Sequence, residues 1–464
     1  MYRRLFTHVS LLLIAACAST DDVEMPGPEP AWLVNPAAAD AFRAPGPVDL
    51  SGELDLSNLI GLAAERNPRL AAARQKWLAA AERPAQARSL PDPLFAYTEM
   101  VDPIETRVGP MDRQFKLTQP IPYPGKLSAA GSLAEEEARV RELDYLIAVR
   151  DTVAAVKVTY TEFLYLRKAL LIVEQNRELA RQLAEKSAAI YAKAREEKRD
   201  VVTLFDSLKA QSQLAQLAYD TITLEELMQT EAANLNRLVS RAPEAPLGMP
   251  LDLRFRPLNA TRDALFRLAL ERRQELQAAL RRIAAAMEAE RLARLARVPD
   301  FAIGATYSVI GQPLTPQPGG GNDALGLTLG LSLPIWVTKN RARIAEAEHR
   351  LQASKYERQA EIDDLMSRIT KVFFRLRNAE RLVRLYKESL IPQAEEAMEI
   401  AEQWRDVGRD TIGRYLEAQS VWLNFQLAYH RALADHEQAI ARLEQLVGTS
   451  LGHLRGEEQE HEKE

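Results

Sequence analysis

The sequence of 464 residues contains one cysteine, so no disulfide can form within the chain and the fold has to stand on packing alone. Histidine is scarce as well: the six are His8, His349, His430, His436, His453 and His461, and they form no HExxH or comparable ligand set. His430 and His436 are six apart, on different faces of a helix, and read as satisfied or surface side chains. The nine methionines are scattered and trace no soft-metal path. Positive charge is not in excess: the net charge is −5 and no basic stripe with interleaved aromatics occurs, which excludes nucleic acid as a partner. Gly319-Gly320-Gly321 lies between two alternating segments and not before a helix, so it cradles no phosphate and reads as a flexible external loop. These absences leave no catalytic residues, no metal site and no cofactor, and the chain reads as a non-enzyme.

What is present is apolar residues, 47%, beside 27% charged ones, which is enough for a folded core and excludes disorder throughout. Met1-Tyr2-Arg3-Arg4 and the apolar run Leu5 to Ala16 read as an export signal over residues 1–16, too short to span a bilayer stably. Cys17 closes that run in the context Ile14-Ala15-Ala16-Cys17, which resembles a bacterial lipoprotein processing site. That resemblance implies lipid attachment at Cys17, and Ala18 after it is compatible with the outer membrane. An ordinary signal peptide with an incidental cysteine is the competing reading. Residues 17–53, rich in Pro, Ala, Asp and Glu, read as a lipidated tether.

Internal repetition organises the remainder. Ala63-Ala64-Glu65-Arg66-Asn67-Pro68-Arg69-Leu70 matches Ala269-Leu270-Glu271-Arg272-Arg273-Gln274-Glu275-Leu276, and each opens an Ala/Arg-rich helical stretch that ends at a Pro-Asp pair, Pro91-Asp92 or Pro299-Asp300. Each copy continues with an alternating segment, a loop full of breakers (Val101 to Asp112, Gly311 to Asp323) and a second alternating segment ending in Gln119-Pro120-Ile121 or Leu333-Pro334-Ile335. A long helical run, a short break and a returning helix follow, the latter carrying Leu208-Lys209-Ala210-Gln211-Ser212 or Leu416-Glu417-Ala418-Gln419-Ser420. The repeats are placed at 54–240 and 261–448, joined by a linker at 241–260 and followed by an acidic tail at 449–464 that reads as disordered.

The long helices carry an apolar stripe spaced four, three, four, three: Leu365, Ile369, Val372, Leu376, Ala379, Val383, Tyr386 and Leu390, with Val149, Val153, Val156, Tyr160 and Phe163 in the first copy. A period of 3.5 predicts a coiled-coil seam. From Leu127 to Lys193 the helix would reach about 100 Å at about 1.5 Å per residue, beyond the size of a compact domain. Pro392 should break or kink its counterpart near Leu390.

Each copy contributes two strands: Leu94 to Val101 with Gln114 to Ile121, and Phe301 to Ile310 with Leu325 to Ile335. In the second pair Phe301, Ile303 and Tyr307, with Leu325, Leu327, Leu329, Leu331 and Leu333, form one apolar face opposite Gly, Ala, Thr and Ser. These are expected to face lipid while the small residues line a pore. Four strands cannot close a barrel, and open edges are not tolerated in hydrocarbon, so copies must combine. Two copies give eight strands and a filled interior; three give twelve and an open lumen, which the small inner residues favour. Glu99, on the face of Phe95 and Tyr97, belongs near the rim.

The chain resembles the TolC-type family of outer-membrane efflux ducts, and within it the heavy-metal branch. The residues that carry this are the Asn67-Pro68 helix opening, Gln119-Pro120-Ile121-Pro122-Tyr123-Pro124-Gly125-Lys126-Leu127, Leu333-Pro334-Ile335 with Ala345-Glu346-Ala347-Glu348, and both Ala-Gln-Ser segments, in an order repeated twice between Leu54 and Gly448. The resemblance implies a mainly α fold with a small transmembrane β part, a homotrimer with a twelve-stranded barrel and a periplasmic helical tunnel. It also implies docking with a periplasmic adaptor and an inner-membrane pump, and outward passage of substrates, here heavy-metal cations. A drug-efflux or type I protein-secretion duct is the alternative. A coiled-coil lipoprotein that spaces the envelope would share the helices and Cys17 but has no use for four amphipathic strands.

By the same resemblance, the hairpin tips at Lys198-Arg199-Asp200-Val201 and Arg405-Asp406-Val407-Gly408-Arg409-Asp410 form the periplasmic opening and meet the adaptor. Threefold symmetry turns a lumen-facing Asp into a ring of three carboxylates, which attracts cations and repels itself unless paired with Arg. The candidates are Asp406, Arg409 and Asp410, with Arg199 and Asp200 opposite and Gly408 for the tight reversal. Asp200 stands where the family's usual glycine would match Gly408, a departure that bears on adaptor specificity.

Overall fold

The structure is a computed structural model that describes residues 50–196, 201–316, 318–406 and 412–455. Cys17, Arg199, Asp200, Gly408, Arg409 and Asp410 lie outside the described residues, as does the side chain of Asp406. The order is β1 (Glu53–Leu54), α1 (Leu56–Arg66), α2 (Pro68–Ala81), α3 (Arg83–Arg88), β2 (Leu94–Thr106), β3 (Gly109–Ile121), α4 (Pro124–Glu196) and α5 (Val201–Leu238). It continues with β4 (Met249–Pro250), α6 (Arg262–Arg272), α7 (Gln274–Leu295), β5 (Asp300–Ile310), β6 (Ala324–Ser332), α8 (Val337–Leu385), α9 (Ile391–Asp406) and α10 (Ile412–Val447). The fold is mainly helical with a small sheet, as the sequence led us to expect.

The matched octapeptides make the same turn in both halves. Asn67 ends α1 and starts α2 with φ −68° and ψ 117°, its side chain capping Arg69 N–H and donating to Leu238 O at 3.0 Å. Arg273 separates α6 from α7 with φ −67° and ψ 124°, and donates to Leu446 O at 2.9 Å. Two different side chains thus satisfy one of the orphan carbonyls that close the last helix of each half. The predicted stripes are the seams of two cores: Val156, Tyr160 and Phe163 pack with Leu59, Leu62, Leu235 and Leu238, while Leu365, Ile369 and Leu376 pack with Leu265, Ile440 and Leu443. At about 1.5 Å per residue α4 is about 110 Å long.

Pro392 does not end the second long helix. A five-residue π segment, Tyr386–Leu390, links α8 to α9, and Ile391 N–H donates to Tyr386 O. The wider turn gives room for a ring that would otherwise strike the carbonyl four residues back, so of the break or kink expected near Leu390 no break occurs and the helix is instead irregular there.

The strands also run further than expected in the first half. The stretch Val101 to Asp112 is not a loop: β2 continues to Thr106, β3 begins at Gly109, and only Arg107 and Val108 turn. Thr106 Oγ donates to Gly109 O at 2.6 Å, and Gly109 has φ +129° with a position for Cβ only 1.9 Å from Gly311 O, so glycine is required there. Pro103 is tolerated because β2 is an edge strand. In the second half Gly319 and Gly321 lie in a turn at φ +81° and +78°, and Gly321 N–H donates to Val108 O at 2.7 Å. β6 ends at Ser332, short of Ile335.

His436, read from sequence as a satisfied or surface side chain, is fully buried where the linker and the C-terminal segment meet α8 and α10. Its ring lies 5.0 Å from that of Phe255, its Nδ1 is 3.2 Å from Glu437, and its Nε2 is 3.7 Å from Glu380, a charge contact and not a hydrogen bond. Arg377 donates to Glu380 at 2.6 Å, the Leu258 amide donates at 3.1 Å, and Arg455 pairs with Glu437. Burial opposes ionisation of Glu380, but His436, Arg377 and the Leu258 amide outweigh it and hold its pKa at about 2. Burial likewise opposes charge on Glu437 and His436, yet His436 and Arg455 lower the former and the two carboxylates raise the latter.

The carboxylates therefore contribute stability above their ordinary range, lost as pH falls, and His436 contributes below its ordinary 6.5, lost as pH rises through its elevated value. The thermal midpoint should be highest between about pH 5 and 6.5 and decline on the alkaline side. His436→Gln should flatten that alkaline limb, and Glu380→Ala, which strands Arg377 and the buried Leu258 amide, should cost about 3–5 kcal/mol.

Candidate functional site in the sheet and its helical junction

The four long strands form one antiparallel sheet in the order β2-β3-β5-β6, so the two hairpins join through β3 and β5, and β2 and β6 are left as open edges. Residues directly paired across a ladder share a face. Phe95, Leu117, Ala305 and Leu327 therefore make one row, and Tyr97, Phe115, Tyr307 and Leu325 the next. Ile303 with Leu329 and Phe301 with Leu331 extend the same face. It is exposed: Leu327 is 86% accessible and Leu329 77%, and Phe301, Ile303, Tyr307, Leu325, Leu331 and Leu333 are all exposed large apolar residues. Leu333 lies in the connection after β6. Single exposed leucines need no explanation, but a contiguous face of this kind does.

Three aromatics stack along that face, with ring centroids 5.2 Å apart for Tyr97 and Phe115 and 6.5 Å for Phe115 and Tyr307. Beyond them towards the hairpin turns Glu99 pairs with Arg113 at 3.4 Å and Tyr97 bonds Glu99. An aromatic row bordered by charge is the composition of a membrane interface. The opposite face holds Leu94, Ala96, Thr98, Gln114, Lys116, Thr118, Ala302, Gly304, Thr306, Ser308, Gly326, Thr328 and Gly330, with Asp300 where β5 begins. Lys116 is charged and exposed, and Asp300 is paired with Lys126.

At the other end of the strands the sheet is bolted to the helices by Lys126. This third residue of α4 donates Nζ to Asp300 at 2.8 Å and to Val298 O at 2.8 Å, and Asp300 also accepts from Tyr123 N–H at 2.9 Å. One lysine of the first repeat thereby fixes where β5 of the second begins. The sequence showed the Pro299-Asp300 pair and Lys126 but not their contact. Deeper in the helical part Arg150, 5% exposed, forms a double hydrogen bond with Glu275 at 2.6 Å and holds the start of α7 on α4. Nothing in the periodicity of α4 marks it.

The two Ala-Gln-Ser segments meet each other: Lys209 donates to Glu417 at 2.5 Å, and Ala210 and Leu416 share a core with Leu183 and Tyr415. Between these segments and the ends of α5 and α9 the expected tip residues are not brought into view, Asp406 being only the last residue of α9. Among the described residues no helix is long and apolar enough to cross a membrane, and no group of His, Cys, Asp or Glu is placed to hold a metal ion.

Residues 265–449, which include most of the second repeat, match the model of the family described as outer membrane efflux protein. No curated protein matches the sequence. Solved structures share the fold over most of their length. The outer membrane protein VceC of Vibrio cholerae is 20% identical, with 85% of this chain and 96% of that one covered and a TM-score of 0.70. A membrane protein of Pseudomonas aeruginosa is 18% identical, covering 88% and 96% with a TM-score of 0.72. CusC, described in terms of transmembrane channel formation, is 14% identical, covering 88% and 96% with a TM-score of 0.70. The chain therefore has the fold of outer-membrane channels, helices extending from a small sheet.

Replacing Lys126 by Met leaves Asp300 with the Tyr123 amide alone and should lower stability by about 1–3 kcal/mol. Limited proteolysis should then cut first near the strand-to-helix connections, around 122–124 and 296–299, a result that a purely global loss of stability would not give.

Proposed function

We propose that the chain is the subunit of an outer-membrane efflux channel, three copies of which close a twelve-stranded barrel and extend it as a helical tunnel through the periplasm. The observation that carries this is the exposed leucine face on a four-stranded sheet whose two edges are unpaired. In hydrocarbon that face is satisfied and those edges are not, so copies must join; the small residues of the inner face suit the wider lumen of three over the filled interior of two.

The helical part supports the same arithmetic. Leu416 is fully buried within the chain, whereas Leu208, its match in the other repeat, is exposed; Leu427 packs into a core while Tyr219, at the matching position, is exposed. Two surfaces of the same design, one covered and one bare, suit a ring in which the next copy covers the second. The channel works with a periplasmic adaptor and an inner-membrane pump, which meet it at the tips bearing Arg199, Asp200, Asp406, Gly408, Arg409 and Asp410. The chain is anchored in the outer membrane through lipid on Cys17, and passage is passive diffusion through a water-filled lumen.

Heavy-metal cations are the proposed substrate, on the resemblance of Pro124-Gly125-Lys126-Leu127 to metal-efflux relatives. Lys116 favours a second reading, a duct for drugs or secreted protein, because three inward lysines make a ring that attracts anions and not cations. Purified protein should run as a heat-sensitive trimer in detergent and conduct in planar bilayers; a non-conducting monomer would sink the proposal and favour an envelope spacer. Lys116→Glu should shift the reversal potential towards cation selectivity. Leu327→Arg, placed in lipid at about 2–4 kcal/mol per copy, should abolish the membrane-inserted trimer while leaving helical content unchanged.

A further inference from the structure

We propose that β6 of one copy pairs with β2 of the next in one defined register, Ser332 opposite Leu94 and Ala324 opposite Asp102, and that Lys339 of the first reaches Asp92 of the second. This rests on the barrel reading above and specifies the surface by which a second copy of the chain is recognised.

The duplicated sequence supplies the template, because the chain already contains one seam of the required kind. β3 of the first repeat pairs with β5 of the second, with Leu117 opposite Ala305 and Gln119 opposite Ile303. Going round a ring, the next seam joins β6 to β2 of the following copy, antiparallel like the others, so the alternation closes without a mismatch. Matching Pro91-Asp92 to Pro299-Asp300 sets the pair Leu94 and Thr118 on the pair Ala302 and Gly330, whereas the exits at Pro120 and Pro334 align two residues further on, at the register that would set Pro103 inside the ladder. Leu329 then corresponds to Leu117 and Tyr97 to Ala305, which puts Leu329 opposite Tyr97 of the next copy.

Three independent features agree with that register. The nine residues of β6 match residues 94–102 in length and start where β2 starts, the regular part of β2 running to Glu99 before its ladder with β3 shifts register. Pro103, which has no N–H to give, falls just past the end of β6; a shift by two residues would set it against Leu325 inside the ladder. The stagger is also right for a barrel. Within the chain Leu325 is level with Tyr97, so placing Leu329 there advances the register by four residues for four strands. At ~3.3 Å per residue and ~4.8 Å per strand this is a tilt of ~35°, at the shallow end of what such barrels adopt. An even stagger keeps every leucine on its own side.

The ion pair rests on helix position, since the strand match alone would set Lys126 on Thr338, one residue before Lys339. Lys126 and Lys339 are each the third residue of their helix, and Lys126 holds Asp300 at 2.8 Å. Asp92 corresponds to Asp300. Both Asp92 and Lys339 are exposed, and neither has an ion pair within the described residues.

The test is disulfide trapping in the full chain. Ala96→Cys with Gly330→Cys, and separately Thr98→Cys with Thr328→Cys, should give covalent dimers and trimers on oxidation, absent in each single-cysteine control. Thr98→Cys with Gly330→Cys, two residues out of register, should not. Asp92→Lys or Lys339→Asp alone should lower the temperature at which the trimer dissociates, and the two together should restore it. Preferential trapping of the out-of-register pair, or trapping of neither in-register pair in a trimer that still conducts, would overturn the register and leave the barrel standing. A parent chain that forms no trimer overturns the barrel and the register with it.

Discussion

A peptide group in hydrocarbon has no water to bond, and the strands of this chain supply partners for only part of their own backbone. β3 and β5 are paired on both sides, β2 and β6 on one. That deficit is the constraint from which the remaining architecture follows. On the barrel proposed above it requires neighbours that continue an up-and-down order, and it makes the leucine face an outer wall instead of a core. The helices have no such debt, because their bonds are internal, and they can extend about 110 Å without further closure.

Duplication lets one set of contacts serve twice. The turn at Asn67 and the turn at Arg273 have nearly the same dihedrals and reach the same place on the returning helix, through an N–H donated by a neutral amide in one and by a guanidinium in the other. What is preserved is the geometry of satisfying a carbonyl. The sheet is treated the same way, with Lys126 and Asp300 joining the second repeat to the first. Where the repeats differ, as in the longer first hairpin and the π segment of the second long helix, the difference lies at ends or at a proline and leaves the shared frame intact.

Much of this was legible in the sequence because periodicity reports burial. The alternation of Leu325 to Leu333 and the four-three spacing from Leu365 to Val383 each describe one face of one element, and each face is where the spacing put it. What was not legible depends on partners from elsewhere. Val101 to Asp112 contains Asp102, Pro103, Gly109 and Pro110 and reads as a loop; it is strand because Ile104 finds Met111 and Glu105 finds Pro110 across a tight turn. Pro392 reads as a break or a kink, and no local rule shows that a π turn absorbs it. His436 looks like any helical surface residue until Phe255, Glu380 and Glu437 are brought round it. The tip residues rest on resemblance and symmetry, and all but the backbone of Asp406 lie outside what the structure describes.

The two carbonyl contacts made at Asn67 and Arg273 also bear on how the chain is assembled. They join residues 171 and 173 positions apart, so each half closes a loop of nearly the same length. Loop-closure entropy depends only weakly on length, and here it does not distinguish the halves at all. Each half can therefore close its own turn at the same entropic cost, although its helices complete their cores only with the other half. The contacts between the halves must wait: the ladder between β3 and β5, the Lys126–Asp300 and Arg150–Glu275 pairs, and the core in which Leu183 and Ala210 meet Tyr415 and Leu416.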